Sequence, residues 1–235
     1  MKSLRLDFLT IFPEMVEPYL NGSILGRAQK SRLLKVAVHQ LRQWTHDRHQ
    51  SVDDRPFGGG PGMVMKVAPF HEALVTLGVR KQNGSKTAAA KQTRVILMSA
   101  KGTPFTQSEA RSLLKYNRLV FLCGRYEGVD ERVAAKLADE ELSIGPYVLT
   151  GGELPALVVA DAVARLRPGV LGNEASLVTE SHNVGAIHEL PLHEYPQYTR
   201  PEVYPVKKGK GWRVPKILMS GNHQKIAEWR KNQQR

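Results

Sequence analysis

The feature that most constrains this 235-residue chain is the alternation of short apolar segments with helical patterns along its first two thirds. Strands that alternate with helices pair in parallel, and the helices cover both faces of the sheet. The sequence therefore predicts an α/β fold with a parallel sheet. The predicted strands are residues 4–12, 33–41, 94–99, 118–124 and 141–145; the predicted helices begin at Pro13 and cover residues 67–77, 106–116, 130–137 and 152–166.

Two polar segments interrupt this alternation. Residues 45–62 are glycine-rich, and a loop of this length is usually functional or disordered. Within it, RPFGGGPGM (55–63) lacks the Lys-Ser or Lys-Thr ending of a phosphate-binding P-loop, which argues against ATP binding and favours a loop that orders over a substrate. Residues 78–94 carry five basic residues and no acidic one, and we expect a flexible, exposed connection there.

The composition changes after Gly172, where a polar and irregular segment begins and is followed by a basic one. Thr106 and Glu109, by contrast, have the spacing of a capping box and indicate a regular helix start within the α/β part. We therefore expect three parts: an α/β domain over residues 1–171, a flexible interdomain linker over 172–190, and a small, basic, mainly helical domain over 191–235.

The net charge is strongly positive, at +12 with an isoelectric point near 9.9. Such a charge is typical of proteins that bind a polyanion such as nucleic acid, although a surface of solvated lysines gives the same number. Tyr198, Trp212 and Trp229 lie among basic residues near the end of the chain. They are either platforms on which bases stack or the core of the small domain.

Cysteine usage and hydropathy indicate the compartment. Cys123 is the single cysteine, so no intrachain disulfide exists, which fits a reducing environment. Asp7 and Pro13 interrupt the apolar N-terminal segment, and no apolar run is long enough to cross a bilayer. We expect a cytoplasmic protein without a membrane partner. The histidines and the cysteine do not have zinc-ligand spacing.

The segment LCGRYEGVDER (122–132) places a glycine-flanked turn directly after a predicted strand. Ligands of open α/β sheets bind at the carboxyl ends of strands, and glycines there let the backbone approach a ligand. Glu127 can pair with a cationic or hydroxyl-bearing ligand. From these residues alone, a binding loop and an ordinary strand-to-helix turn are equally good interpretations.

The segment SIGPYVLTGGELP (143–155) repeats the same design, because a short strand leads into a loop rich in glycine and proline and then into a helix. Ordinary turn chemistry would explain one such loop. Two matching loops at the ends of neighbouring strands favour a shared pocket for a small cofactor.

In their order along the chain, these segments resemble the TrmD family of bacterial tRNA (guanine-N1)-methyltransferases over nearly the whole length. Each segment alone is weakly specific, whereas the complete set is highly specific. The matching segments are IFPEM (11–15), THDRH (45–49), VDDRPFGGGPGM (52–63), LCGRYEGVDER (122–132), SIGPYVLTGGELPA (143–156), DAVARLRPGVLG (161–172), YTRPEV (198–203) and LMSGNH (218–223).

The resemblance implies a homodimer of SPOUT-type α/β domains, each with a deep trefoil knot, and an active site at the subunit interface. It implies that S-adenosylmethionine binds in the knot and that the substrate is tRNA, not DNA, methylated on ring nitrogen 1 of guanosine 37 beside the anticodon. A magnesium ion is implied for activity, without a ligand cluster to locate it. The implied cofactor-binding residues are Leu97, Met98, Ser99, Gly124, Tyr126, Glu127, Gly128, Ile144, Gly145, Pro146, Tyr147, Val148, Leu149, Gly151 and Gly152.

The resemblance also implies two catalytic residues. Guanine nitrogen 1 carries a proton, so methylation requires a base that removes it and a cation that stabilises the charge developing on O6. Arg165 in DAVAR matches the family's arginine. Glu180, in EASLVTES (174–181), occupies the position where the family has an aspartate as general base, and His182 is the alternative base.

Two other functions stay open at this point. One is a knotted methyltransferase that acts on a different RNA, such as ribosomal RNA, and the other is a non-catalytic RNA-binding relative. The paired loops, Arg165 and Glu180 favour an enzyme, because a pure binding protein needs none of them. Binding of S-adenosylmethionine distinguishes the enzymes from the binding protein.

Overall fold

The structure is a computed structural model that describes residues 3–172, 196–205, 209 and 211–233. The chain forms two compact units, Met1–Gly172 and Asn173–Arg235. Apart from residue 172, the predicted linker lies outside the described residues, as do Glu180 and His182, and the assignment of domain roles stays a prediction.

The first unit contains a five-stranded parallel sheet with the order β2-β1-β6-β5-β7, which confirms the predicted fold class. Leu6 pairs with Val36 on one side and Leu119 on the other, and Leu97 pairs with Leu122. A short antiparallel pair, β3 with β4, lies outside this sheet. The strands are β1 (Leu4–Thr10), β2 (Leu34–Gln40), β3 (Asp53–Asp54), β4 (Val64–Met65), β5 (Thr93–Pro104), β6 (Arg118–Cys123) and β7 (Glu140–Ser143).

Helices of the first unit follow the predicted alternation. Thr106 Oγ1 accepts a hydrogen bond of 3.3 Å from the backbone amide of Glu109, which confirms the predicted cap. The α-helices are α1 (Glu17–Asn21), α2 (Ser23–Lys30), α3 (Val67–Thr76), α4 (Gln107–Leu113) and α5 (Glu153–Ala164); 3-10 turns cover Pro13–Met15, Leu41–Trp44 and Ala88–Ala90. The predicted helix over 130–137 contains a π-helical segment, Val133–Leu137.

The sheet is buried on both faces, as its nearly continuous apolar strands require. Along β6, Leu119 and Phe121 face a cluster that includes α1, α2, α4 and α5, whereas Val120 and Leu122 face a cluster that includes α3. Phe121 stacks on Phe8, with ring centroids 4.9 Å apart. The two clusters are the hydrophobic core that fixes the sheet between its helices.

A buried carboxylate joins the three adjacent strands β2, β1 and β6. Asp7 accepts hydrogen bonds from Arg5 and from Arg118, and its Oδ1 lies 2.8 Å from His39 Nε2. Burial alone would raise the pKa of Asp7, but the hydrogen bonds with His39, Arg5 and Arg118 together lower that pKa far below the ordinary carboxyl value. The carboxylate is therefore ionised at neutral pH and ties the strands together.

The basic segment 78–94 is exposed along much of its length, as its composition predicts, but Val79, Arg80, Ala90 and Thr93 are buried. Arg80 is buried and donates hydrogen bonds to the carbonyl oxygen of Leu137 and, at 2.7 Å, to Asp139 Oδ1. Lys86 donates to Asp139 Oδ2 at 2.9 Å. The sequence does not indicate these ion pairs, because the acidic partner lies more than fifty residues away. The flexibility of the segment stays a prediction.

In its described part, the second unit contains a short antiparallel hairpin, β8 (Val203–Tyr204) with β9 (Trp212–Arg213), a 3-10 turn, Lys216–Met219, and the helix α6 (His223–Asn232). Asn222 caps α6, since its Oδ1 accepts from the amide of Lys225. Tyr204 and Trp212 stack across the hairpin with centroids 5.7 Å apart, and both are exposed. The mainly helical character predicted for this part stays a prediction.

Candidate functional site

A cavity of about 500 Å³ opens at the carboxyl ends of β6 and β7 and beside the middle of β5, where the pairing of β5 with β7 shifts register between Met98 and Thr103. Its walls come from three segments of the first unit, residues 97–101, 124–134 and 142–155. The volume lies in the range of pockets that hold a cofactor-sized ligand, and the position is where open α/β sheets bind their ligands.

The first wall is the loop that follows β6, and the glycine-rich segment before β4 supports it. The amide of Glu127 donates to the carbonyl oxygen of Met63 at 3.0 Å, and the amide of Met65 donates to that of Gly128 at 2.9 Å. Tyr126 has a φ of 61°, a left-handed conformation that non-glycine residues adopt at a cost. These backbone bonds hold the loop in a strained shape beside the cavity.

The second wall is the loop between β7 and α5. Ser143 Oγ donates to the carbonyl oxygen of Gly145 at 3.1 Å, and the Tyr147 hydroxyl donates to that of Ile144 at 3.2 Å. The loop is therefore folded on itself by local bonds. Beyond Tyr147 the chain presents Val148, which is 86% exposed, at the edge of the cavity.

The two loops contact each other directly. The amide of Gly152 donates to the carbonyl oxygen of Gly124 at 2.8 Å, and Arg125 forms an antiparallel β-bridge with Gly151. A Cβ atom at Gly152 would lie 2.8 Å from Cys123 Cα, so only glycine permits this approach. The cavity therefore lies between loops that are joined at their bases.

A buried charge pair lies behind this junction. Arg125 Nε donates to Glu153 Oε2 at 2.9 Å, and Glu153 is 1% exposed. Burial raises the pKa of the neighbouring Cys123 thiol, and the negative charge of Glu153 raises it further. The thiol is therefore protonated and inert, so it is no candidate nucleophile.

Comparison with known proteins decides the family. The family model described as "tRNA (Guanine-1)-methyltransferase TrmD" matches residues 4–235. The chain belongs to the TrmD family. It is 50% identical over 228 residues to the tRNA (guanine-N(1)-)-methyltransferase of Thermomicrobium roseum, covering 97% of this chain and 78% of that protein. It is 47% identical to the protein of that name from Bacillus subtilis, with 97% and 86% covered, and 46% identical to that from Ruminiclostridium cellulolyticum, with 98% and 91% covered.

The TrmD resemblance had implied a set of cofactor residues, and the fold brings nearly all of them to the cavity. Fourteen of the fifteen line it, whereas Pro146 is not among the lining residues. Motif matching did not name several further lining residues. Lys101 and Glu131 form an exposed ion pair of 2.5 Å at the wall, and Arg125, Val129 and Thr150 flank residues that the motifs did name. In the sequence, their position close to motif residues was the sign that they would line the cavity.

Arg165 lies at the other end of α5, as the residue that caps its C-terminus. It does not line the cavity. Its charge acts on Asp161 one turn earlier: burial raises the pKa of Asp161, while Arg165 and a hydrogen bond from Tyr19 oppose that rise. The structure therefore does not bring the predicted catalytic arginine to the pocket of its own chain.

The described residues also bear on metals and membranes. Among them, no group of three or more His, Cys, Asp or Glu side chains could hold a metal ion, so the magnesium ion that the resemblance implies has no assigned ligands. Within the same part of the chain, no helix has the length and apolar character needed to span a membrane.

Proposed function

We propose that this TrmD-family protein transfers a methyl group from S-adenosylmethionine to ring nitrogen 1 of guanosine 37 in tRNA, beside the anticodon. Family membership supports the reaction, since the relatives carry the name tRNA (guanine-N(1)-)-methyltransferase. The observation that carries the proposal is the convergence of two motif loops on one cavity at the carboxyl ends of β6 and β7, beside the middle of β5.

The lining residues fit this cofactor. Tyr126, Tyr147, Val148 and Leu149 are exposed at the cavity and offer apolar surface to a flat ring system. The carboxylate of Glu127 offers a counter-charge to a cationic ligand. When bound, S-adenosylmethionine supplies a methyl group on a positively charged sulfur, which is an electrophile. The loops bind and orient it, and their backbone junction excludes water from the base of the cavity.

The remaining chemistry takes place on the guanine, at nitrogen 1 and O6. Glu180 would remove the proton from nitrogen 1, which frees the lone pair that takes up the methyl group. The carbon–sulfur bond of the cofactor would break, with its electron pair left on the sulfur of S-adenosylhomocysteine as the leaving group. Arg165 stabilises the negative charge that develops on O6. Both assignments rest on motif matching, and Glu180 lies outside the described residues.

The position of Arg165 favours the homodimer with a shared active site. From Gly152 at the cavity to Arg165 is thirteen residues, or about 20 Å along a helix axis. Leu154 and Val158, which are exposed, share one helical face with Asp161 and Arg165. A two-fold contact with α5 antiparallel to its copy covers this apolar face and brings the partner's Arg165 toward the cavity.

The proposal extends to the parts that bind tRNA. The net charge of +12 matches a polyanionic substrate, and the basic second unit is the proposed contact for the tRNA phosphates. The proposal also includes the deep trefoil knot and the cytoplasmic location that the family resemblance implies.

The test is direct. The protein is incubated with unmodified tRNA and S-adenosylmethionine labelled in its methyl group, and the labelled base is then mapped. We expect label on nitrogen 1 of guanosine 37. Label on another nucleotide or in ribosomal RNA would indicate a different RNA target. If calorimetry detects no binding of the cofactor, the protein is an RNA-binding protein without this activity.

A further inference from the structure

Glu153 is a carboxylate buried inside the fold at the start of α5. Its Oε1 accepts a hydrogen bond of 2.6 Å from Thr10 Oγ1, and its Oε2 accepts one of 2.9 Å from Arg125 Nε. Thr10 is itself buried at the end of β1, and its hydroxyl also accepts from the amide of Phe12. A charge without access to water persists only when its partners are fixed, so these two bonds determine where Glu153 lies.

Arg125 is held on several sides by groups of the same chain. Besides Glu153, its Nη1 donates to the carbonyl oxygen of Thr150 at 3.4 Å, and its Nη2 lies 2.8 Å from Met15 Sδ. Its guanidinium carbon lies 4.7 Å from the ring centroid of Phe12, a cation–π contact. Each guanidinium nitrogen thus has a partner in the protein, and the side chain is only 14% exposed. Although Arg125 lines the cavity, its guanidinium is therefore already engaged by groups of its own chain.

The two side chains belong to different walls of the cavity. Arg125 is part of the loop after β6, and Glu153 follows directly on the loop after β7. Gly151 lies against the arginine so closely that a Cβ atom there would come within 2.6 Å of Arg125 Cδ and of Glu153 Oε2. The two loops are thus linked twice: by the backbone bridge between Arg125 and Gly151, and by the side-chain bond between Arg125 and Glu153.

We infer that Arg125 and Glu153 are positioning residues for methyl transfer: with Thr10 they fix the separation of the two cofactor loops. The inference rests on the proposed function, because it concerns the geometry in which S-adenosylmethionine binds. The pair does not contact the reacting atoms. It acts by holding the strained turn at Tyr126 at a fixed separation from the loop at Gly151. The walls on both sides of the cofactor are therefore formed before it binds.

The experiment measures the dissociation constant of S-adenosylmethionine by calorimetry on the full-length protein, with thermal unfolding of each variant recorded beside it. Arg125→Met and Glu153→Gln each remove a charge-assisted bond, and we expect each to weaken binding about ten- to hundredfold. Since the two residues act as one unit, the double variant binds no more weakly than the weaker single variant. The KM for the cofactor rises with the dissociation constant, whereas the KM for tRNA is unchanged.

The chain offers a matched control. Arg132 forms an arginine–carboxylate pair with Asp130, but this pair is more exposed, both residues belong to one segment, and neither lines the cavity. Arg132→Met therefore leaves cofactor affinity within about twofold of wild type, since it removes an arginine–carboxylate pair that joins no loops. A similar loss in this control would overturn the inference.

Two milder variants decide the question if the charge-removing ones do not fold. Arg125→Lys keeps the charge but loses the planar fork, and Thr10→Val removes one anchor of Glu153 at nearly constant volume. We expect both to weaken cofactor binding several-fold, with Arg125→Lys between wild type and Arg125→Met. If the wild type binds the cofactor and folded variants bind it equally well, the positioning role is wrong. If the wild type does not bind it, the proposed function fails and this inference with it.

Discussion

The two ends of α5 differ in whether the surrounding structure is supplied by the same chain. At the N-terminal end, Gly152 bonds to Gly124 and Glu153 is held by Thr10 and Arg125, so the cavity walls are finished by the chain itself. At the C-terminal end, Arg165 stands on the same helical face as exposed apolar side chains and away from the cavity.

The two parts of the proposed reaction therefore have different structural requirements. In the proposed function, cofactor binding uses the loops of one chain. Methyl transfer uses Arg165, which lies ten residues of α5, or about 15 Å along the helix axis, beyond Pro155 at the cavity, so the proposal takes this cation from a second chain. Substitutions at the two ends should accordingly affect different measurements.

The largest expected effect is that of Glu180→Gln. Loss of the general base should lower single-turnover methylation by about 10²- to 10⁴-fold, while calorimetry shows unchanged binding of cofactor and tRNA. Glu180→Asp should give an intermediate rate, because the group is right but its reach is shorter. If Glu180→Gln methylates like wild type and His182→Ala does not, the base is His182.

Arg165→Ala changes the residue at the C-terminal end of α5. Loss of a fixed cation at the developing oxyanion should lower the methyl-transfer rate by about 10²- to 10³-fold. The dissociation constant of the cofactor should change little, since Arg165 does not line the cavity of its own chain. A variant whose main defect is in cofactor binding contradicts the role assigned to Arg165.

Val158→Asp tests whether the exposed face of α5 is covered by a second copy. In a two-fold contact the substitution occurs twice, and like charges facing each other should weaken dimerisation by about a hundredfold or more. Light scattering should then report the monomer mass, with methylation abolished and cofactor binding kept. Ser108→Asp, at an exposed position of α4, is the control that should stay dimeric. A variant that remains a fully active dimer places the interface elsewhere.

The smallest effect is expected from substitutions in the second unit, which does not contain α5. Neutralising Lys207, Lys208 and Lys210 together should reduce the salt dependence of tRNA binding by about one unit of slope for each phosphate that is no longer neutralised. Cofactor affinity should not change. An unaltered slope means that these lysines are a solvated surface.

The sequence was sufficient for the features whose residues are adjacent in the chain. The alternation of apolar segments predicted the parallel sheet, and the glycine-flanked turns at residues 122–132 and 143–155 predicted that two loops line one pocket. The contacts that join distant residues could not be predicted in this way. Thr10 and Glu153 are 143 positions apart, and nothing local to either residue indicates the bond between them.

The same limit explains what the sequence leaves open for residues 78–94 and for Arg165. Residues 78–94 seemed unpartnered because their acidic partner, Asp139, joins them only through the fold. Arg165 belongs to the motif set that supplies the cofactor loops, but twelve residues of helix separate it from them. A motif match gives a residue its role and does not say which copy of the chain the residue serves.

The most direct test of the account is a hybrid dimer that carries Gly124→Val in one subunit and Arg165→Ala in the other. Each homodimer should be inactive, because a side chain at Gly124 crowds Val129 beside the cavity in one and the cation is missing in the other. If Arg165 serves the pocket of the partner, the hybrid retains one intact site of two, so we expect about half of the wild-type activity. If each Arg165 serves its own pocket, no site in the hybrid is intact. Hybrid activity no higher than that of the two homodimers would contradict the account.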